Sequence, residues 1–409
     1  MARGKGEGAV YQRKSDKMWC VSVELPRGQD GKRRRRVIAR KSKPEALAAL
    51  REAQLELGAG RSTTRTQTVS EWFTYWITYV VPISGTRPKT ISGYRSAITQ
   101  HIIPALGKTK LDALTPADVR ALDLRITTTP KRVSDRLLDP ADLDEDTQYL
   151  TGSYSKSIFN VLRIGLNAAV SEGVITRNPL AHADPPRAKP ALRRGLTLEQ
   201  AIKLIRHVSE SPDRQHEAAM WATFLFTGAR RGEVLGLEIE RVTDELDLSW
   251  QLQRISNIKD ASRDYEYRHL RNKLYLTRPK SEQGWRIIPL VEPLASYLRR
   301  HIGDRTEGVV FTDADGQAWN PDRITAAWTD LLAELKFPEN IVLHGARRTT
   351  ITLLYAAGVH PQVIREIAGH STLDMTQHYR DRGDRAQLTS AMESFSALFT
   401  PPPGSALTQ

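Results

Sequence analysis

The sequence predicts a multi-domain chain, mainly α with small β-sheets. It reads as an amino-terminal three-stranded sheet plus helix, a helical middle domain and a mixed α+β carboxy-terminal domain. Three observations carry that reading. At 409 residues the chain exceeds what one ordinary core organises, so two to four domains are expected. Its hydrophobic content of 40% and charged content of 26% are those of a globular protein. The hydrophobic period also changes along the chain, from alternation to helical spacing and then to a mixture of both.

The amino-terminal elements come first. Trp19, Val21, Val23 and Leu25 alternate with Cys20, Ser22 and Glu24, the period-2 pattern of a half-buried strand. Pro-Arg-Gly-Gln-Asp-Gly at 26–31 is a turn, Arg35–Arg40 a second strand, and Lys43–Leu57 a helix with Pro44 in its first turn. The basic block Lys32, Arg33, Arg34, Arg35 and Arg36 lies at this hairpin. Such a block either keeps an edge strand from aggregating or meets phosphates while the sheet lies in a DNA groove. The charge of the whole chain favours the second reading.

A polar stretch, 61–67, leads into helical spacing from Val69 to about Ala183. Ser70 is the expected cap of a helix over Glu71–Val81, whose Trp72, Phe73, Tyr75, Trp76 and Tyr79 read as core. Pro88 opens a helix containing Ile91, Tyr94, Ile98 and Ile102 that should stop before Pro104. Thr115-Pro116-Ala117-Asp118 opens a third and Tyr154–Glu172 forms a fourth, while Thr127–Gly152 lacks a period and reads as a loop or insertion. The proline-rich, basic stretch Asn178–Arg194 is an extended linker.

The carboxy-terminal domain opens at Thr197-Leu-Glu-Gln200, a capping box ahead of an apolar helix. Strands are expected at Ser249–Arg254, Leu274–Arg278 and Arg286–Leu290, and helices at Pro321–Leu335, Gly345–Ala357 and Pro361–Ala368. In the tail, Leu388, Met392, Phe395, Leu398 and Phe399 sit at loosely helical spacing. They can dock on a neighbouring subunit or pack on their own domain. The expected boundaries are 1–62, 66–183, a linker at 184–195, 196–395 and a tail at 396–409.

Composition narrows the function class. A net charge of +13 and a pI near 9.8 favour a polyanionic partner, usually nucleic acid. Cys20 is the only cysteine, which excludes a disulfide framework and a cysteine-based zinc cluster and suits a reducing cytoplasm. No run approaches the roughly 20 apolar residues of a membrane span, and no signal peptide is visible. A soluble protein of the bacterial cytoplasm is expected, nucleoid-associated when bound. The excess of Arg over Lys and the abundant Ala suggest a high-GC genome.

The chemistry lies in dispersed residues. Arg230 stands in Thr-Gly-Ala-Arg-Arg-Gly-Glu, and His344 and Arg347 in His-Gly-Ala-Arg-Arg-Thr. His370 ends Ala-Gly-His, and Tyr379 lies in His-Tyr-Arg. Two guanidinium groups suit a phosphodiester, because the planar fork binds phosphate bidentately and keeps its charge. Tyr379 is the candidate nucleophile; a free phenol has a pKa near ~10, so cations or an imidazole must promote loss of its proton. Lys280, between two expected strands in what reads as a hairpin turn, is the candidate acid for the leaving 5′-oxygen. Singly, each has an ordinary reading: a surface ion pair or cap for the arginines, a buried helix tyrosine, a core histidine, an exposed turn lysine.

Taken in order, the set resembles the tyrosine recombinases, and the whole chain looks like a phage-type integrase of the lambda-integrase-like kind. Thr-Gly-Ala-Arg230-Arg-Gly-Glu233 matches the first arginine box and His344-Gly-Ala-Arg347 the second. Ala-Gly-His370 with Tyr379 matches the carboxy-terminal signature, and Lys280 before Arg-Ile-Ile-Pro-Leu the hairpin lysine. Gly345-Ala346 and Ala368 depart from the commoner Asp-Leu and leucine. The resemblance covers roughly 65–395 and implies roles for these residues. Arg230 and Arg347 grip the scissile phosphate, His344 and His370 assist proton movement, Lys280 protonates the leaving oxygen, Tyr379 forms a 3′-phosphotyrosine and Glu233 supports the pocket. It further implies an arm-binding amino-terminal domain, a helical core-binding domain, a mixed α+β tyrosine recombinase catalytic domain and a homo-tetramer on double-stranded DNA. An excisionase and a host DNA-bending factor would set direction, and no metal or other cofactor is expected. Two other readings stay open: relaxation of supercoils in the manner of a type IB topoisomerase, and DNA binding without catalysis.

Overall fold

The structure, a computed structural model, describes residues 9–25, 34–58, 67–130, 148–188, 194–279, 285–313, 315–338, 341–369 and 385–399. The chain divides into two compact units, Met1–Pro190 with Asp260–Ser262, and Ala191–Lys259 with Arg263–Gln409.

In the first unit, β1 (Ala9–Gln12), β2 (Trp19–Leu25) and β3 (Arg34–Arg40) form an antiparallel sheet in that order. The register aligns Val10, Val21 and Ile38 across the sheet. Helix α1 (Lys43–Gly58) packs Ala46, Leu50 and Ala53 against Val21 and Val23. Cys20 is buried as well, on the other side of the alternation.

The helical part begins with α2 (Val69–Tyr75), capped at Thr68 and not at Ser70. The Thr68 hydroxyl accepts the Glu71 N–H at 3.2 Å, and the Glu71 carboxylate accepts the Thr68 N–H at 2.8 Å. That reciprocal box places Ser70 inside the first turn. A wide π turn at Trp76–Val80 continues the helix. Then come α3 (Pro88–Ala97), a second π turn at Ile98–Ile102 and α4 (Ile103–Leu106). The helical path therefore runs past Pro104, where a stop was expected. The Ile103 N–H reaches back to Ile98 O, and this wide turn lets Pro104 enter in the first turn of α4, where its missing N–H costs nothing. Helix α5 (Pro116–Thr127) is capped by Thr115, and α6 (Gly152–Ser171) by Thr151.

Trp72, Phe73, Trp76, Ile91, Ile98, Ile102, Phe159 and Leu162 make this core. Trp72 Nε1 donates to Gly165 O at 2.8 Å, and a Cβ on Gly165 would stand 2.3 Å from the Phe73 ring. Tyr75 and Tyr79, expected inside, are exposed and lie with ring centroids 5.3 Å apart. The helix turns its indoles and Phe73 inward, and the two phenols fall on the opposite side.

The second unit opens with α7 (Leu198–Glu210), capped by Thr197 and Gln200 as expected. It continues with α8 (Ala218–Thr227), α9 (Arg231–Leu235), β4 (Glu245–Asp247), β5 (Gln251–Arg254), β6 (Tyr267–Arg271), β7 (Leu274–Thr277) and β8 (Ile287–Pro289). Helices α10 (Leu294–Ile302), α11 (Ile324–Glu334), α12 (His344–Ala356), α13 (Pro361–Ala368) and α14 (Arg385–Ala397) follow. Every residue of α8 is buried, with Trp221, Phe224 and Phe226 at the centre of the core.

The sheets differ from expectation in one respect. β7 pairs with β5 and β6, whereas β8 pairs with β4. Among the described strands, the stretch between β7 and β8 thus connects two sheets and is not the turn of a hairpin. Leu388, Met392 and Phe395 belong to the core of their own unit, and Phe399 lies 4.7 Å from the Phe226 ring. As far as Phe399 the tail packs in cis. Among the described residues no helix is long and apolar enough to cross a membrane.

Candidate active site

The site is built where α8 ends. Gly228 closes the helix at φ 58°, a left-handed conformation natural to glycine, and a Cβ there would meet the Thr350 side chain at 3.2 Å. Two residues on, Arg230 precedes α9 with extended backbone. Glu233, in the first turn, accepts the Arg230 N–H at 2.8 Å and the Arg230 guanidinium at 2.7 Å. Its second oxygen also accepts Arg286 Nη2 at 2.8 Å.

Arg286 is the residue that sequence reasoning missed. It stands at the entrance to β8, almost wholly buried, and its Nη1 donates to the carbonyl of Ala368 at the end of α13. Arg230 Nη2 donates to the next carbonyl, Gly369 O, at 2.6 Å. A helix carboxy terminus exposes unpaired carbonyls with partial negative charge, so two guanidiniums fit it well. Gly369 turns at φ 66°, and a Cβ on it would come within 2.7 Å of Arg286 Nη1. In the sequence Arg286 reads only as the first residue of an expected strand. Only its place beside Glu233 reveals a buried charge.

Arg347 comes from α12 and is 3% exposed. Its Nη1 donates to Gly228 O at 2.9 Å, joining the second arginine box to the turn that carries the first. Its Nη2 is buried with no hydrogen-bond partner among the described residues, as is Arg286 Nε. His344 opens α12 one turn earlier and is exposed. The departure at Gly345 has a steric cause: a Cβ would lie 2.6 Å from the Arg194 carbonyl.

Electrostatically, among the described residues three guanidiniums share one carboxylate. Burial opposes the charge of Glu233, but Arg286 and Arg230 overcome it and hold the carboxyl below its usual range. Burial lowers Arg286, with Glu233 opposing that effect and Arg230 adding to it. Arg347 is pushed down to about 9 by burial and by the like charges of Arg286 and Arg230. A buried cation with a spare donor and too few anions is a site that gains from an incoming anion.

Of the residues expected to react, Arg230, Glu233, His344 and Arg347 are described, and the two arginines and Glu233 come together. Lys280, His370 and Tyr379 lie outside the described residues. In the amino-terminal sheet, Lys32 and Arg33 lie outside them too. Arg34, Arg35 and Arg36 belong to β3, and Arg35 is exposed opposite Glu24, on the strand face shared with exposed Val37.

Residues 194–385 match the family model described as phage integrase family, and 68–122 that described as phage integrase, N-terminal SAM-like domain. The integrase of Saccharopolyspora erythraea is 25% identical over 430 aligned residues, covering 91% of this chain and 92% of that protein. A XerC-like tyrosine recombinase of Caldanaerobacter subterraneus subsp. tengcongensis is 23% identical, covering 95% and 98%. Among solved structures, the Tn1549 transposon integrase in complex with circular intermediate DNA superposes with a TM-score of 0.58 at 18% identity, over 80% of this chain and 99% of that one. A lambda integrase tetramer bound to a Holliday junction gives a TM-score of 0.50 at 15% identity, over 91% and 98%.

Proposed function

The chain belongs to the phage integrase family of tyrosine recombinases, and from that premise we propose how its residues divide the work of site-specific recombination. It is an enzyme, a DNA strand transferase that binds DNA and acts as an oligomer. The observation that carries the residue assignment is the buried cluster of Arg230, Arg286, Glu233 and Arg347 around the end of α13.

A phosphodiester gains negative charge as the attacking oxygen arrives, and donors fixed beforehand stabilise that state more than the ground state. Arg347 offers the buried spare N–H, and Arg230 the more open guanidinium. Glu233 and Arg286 do not reach for the substrate; they fix Arg230 against α13. Tyr379 attacks phosphorus through its phenolic oxygen, a 3′-phosphotyrosine forms, and the P–O5′ bond breaks. Lys280 gives the leaving 5′-oxygen its proton. His344 and His370 assist proton movement and phosphate binding. In the second half of the reaction the 5′-hydroxyl of a different strand attacks the phosphotyrosine, Tyr379 leaves, and the backbone is restored without metal or nucleotide.

The domains divide accordingly: 1–62 holds arm-type sites, 66–183 and 196–395 hold the crossover site, 184–195 joins them, and 396–409 is the tail. The basic block Lys32–Arg36 contacts arm-site phosphates. Tethering two DNA-binding modules raises the effective concentration of each at its site. The active assembly is a homo-tetramer, with an excisionase and a host DNA-bending protein setting direction, in the bacterial cytoplasm on the nucleoid. A recombination assay with the two attachment sites, read from the junctions of the integrated element, tests this function. Joined recombinant products are expected. Relaxation of supercoiled plasmid without recombinants would make the chain a topoisomerase instead.

A further inference from the structure

Where Gly228 brings α8 to its end, the last carbonyls of the helix need partners from elsewhere. Two carbonyls at this end find them on α12. Arg347 Nη1 donates to Gly228 O at 2.9 Å, and Thr350 Oγ1 donates to Leu225 O at 2.7 Å. Arg347 and Thr350 stand three residues apart, so one face of α12 carries both donors. In a continuing helix the Ala229 N–H would serve Leu225 O, but here it is turned to Thr227 Oγ1 at 3.1 Å.

A buried helix threonine ordinarily bonds four residues back in its own helix. Thr223 and Thr349 do so, to Ala219 O at 2.7 Å and to Gly345 O at 3.0 Å. Thr350 also faces its own Ala346 O, at 3.1 Å, but its shorter contact is the one on α8. It is 1% exposed, and a Cβ on Gly228 would meet its Cβ at 3.2 Å and its Cγ2 at 3.3 Å. Hydroxyl and methyl thus both bear on the turn that leads to Arg230.

We infer that Thr350 is a positioning residue for the two arginines. It docks the end of α8 on α12, and so fixes Arg230, two residues after Gly228, relative to Arg347, one turn before Thr350 itself. The inference rests on the reading of Arg230 and Arg347 as the cations of the scissile phosphate. Closed to solvent, Thr350 acts only through them. Two cations that must meet one phosphate together need a fixed relation, since a misplacement of about 1 Å can cost on the order of 10²-fold in rate.

The test follows strand cleavage on two nicked duplexes bearing the core site read from the element's junctions. One has the natural scissile phosphate; in the other a methyl group replaces one non-bridging oxygen, so the phosphorus centre is neutral. A neutral centre has far less need of cations, while it still reports folding, DNA binding and every other part of the site. On the natural duplex Arg347→Ala should slow cleavage roughly 10²–10³-fold. Thr350→Val, which keeps the shape and removes the hydroxyl, should slow it roughly 10–100-fold with DNA affinity unchanged. On the neutral duplex both should run close to the wild-type rate. Thr350→Ser, which keeps the hydroxyl, should stay near wild type on both duplexes. So should Thr223→Val, which removes an equally buried hydroxyl from within α8. Gly228→Ala presses a methyl onto Thr350 from the other side; it should repeat the pattern of Thr350→Val, and it carries the test if that variant does not fold. Equal slowing on the two duplexes, no slowing on either, or a Thr350→Ser as slow as Thr350→Val overturns the positioning role. If the neutral duplex relieves Arg347→Ala but not Thr350→Val, the inference alone fails. If it does not relieve Arg347→Ala, the reading of the arginines falls and takes the inference with it.

Discussion

At the scale of single residues, Glu233 decides how the cluster behaves. It is the carboxylate among three guanidiniums, held below its ordinary pKa by Arg286 and Arg230 against the opposing effect of burial. Because the folded pKa is depressed, its contribution to stability is complete above the unfolded value of ~4.3 and fades as pH falls through the folded value. Glu233→Gln should therefore cost about 3–5 kcal/mol at neutral pH, the penalty of stranding a buried partner. Thermal melts taken from pH 7 to pH 3 should show the gap between variant and wild type closing at the acid end. A gap that stays constant with pH would mean the carboxylate's charge is irrelevant. Arg347 works in the opposite sense. Its pKa, lowered to about 9 by burial and by the like charges of Arg286 and Arg230, marks a cation short of counter-charge among the described residues, which on the proposed reading the scissile phosphate supplies.

At the scale of elements, α12 presents the second arginine box, and its first turn is set by contact with the chain entering the second unit. Leu196 N–H donates to Thr349 Oγ1 at 2.7 Å, and Gly345 faces the Arg194 carbonyl. Gly345→Ala should shift this turn and cost about 1–3 kcal/mol, an overpacking penalty, with a further loss of cleavage rate because Arg347 moves with it. Gly358→Ala is the control: it strains a left-handed φ of 76° with nothing nearby to strike, so the melting temperature should fall while cleavage survives. Equal cleavage by both variants would show that the α12 turn does not set the arginine. Much of this level was legible in the sequence, and the exceptions have physical causes. Capping boxes and periodic stripes disclosed α7, α12 and α13 because each is amphipathic. Helix α8 escaped notice because it is buried all round and shows no stripe. The strands β4 and β6 are short or exposed, too slight for alternation to register. Motif spacing found Arg230, Glu233, His344 and Arg347. Arg286 was invisible because its partners, Glu233 and Ala368, lie far away in sequence.

At the scale of the whole molecule, a strongly basic chain, +13 in net charge, serves one reversible chemical step on the proposed reading. The charge gathers DNA without regard to sequence and makes binding fall steeply with salt. On that reading, the arginine cluster then selects one phosphate and Tyr379 takes it covalently. Trapping that intermediate tests the account most directly. A nicked duplex bearing the core site, from which the cleaved 5′ fragment diffuses away, should accumulate a protein–DNA adduct. Proteolysis and mass spectrometry of the adduct should place the nucleotide on the Tyr379 peptide. Tyr379→Phe should bind the duplex and form no adduct, and Arg347→Ala should form it roughly 10²–10³-fold more slowly. An adduct mapped to another residue, or one formed at the wild-type level by Tyr379→Phe, would contradict the account.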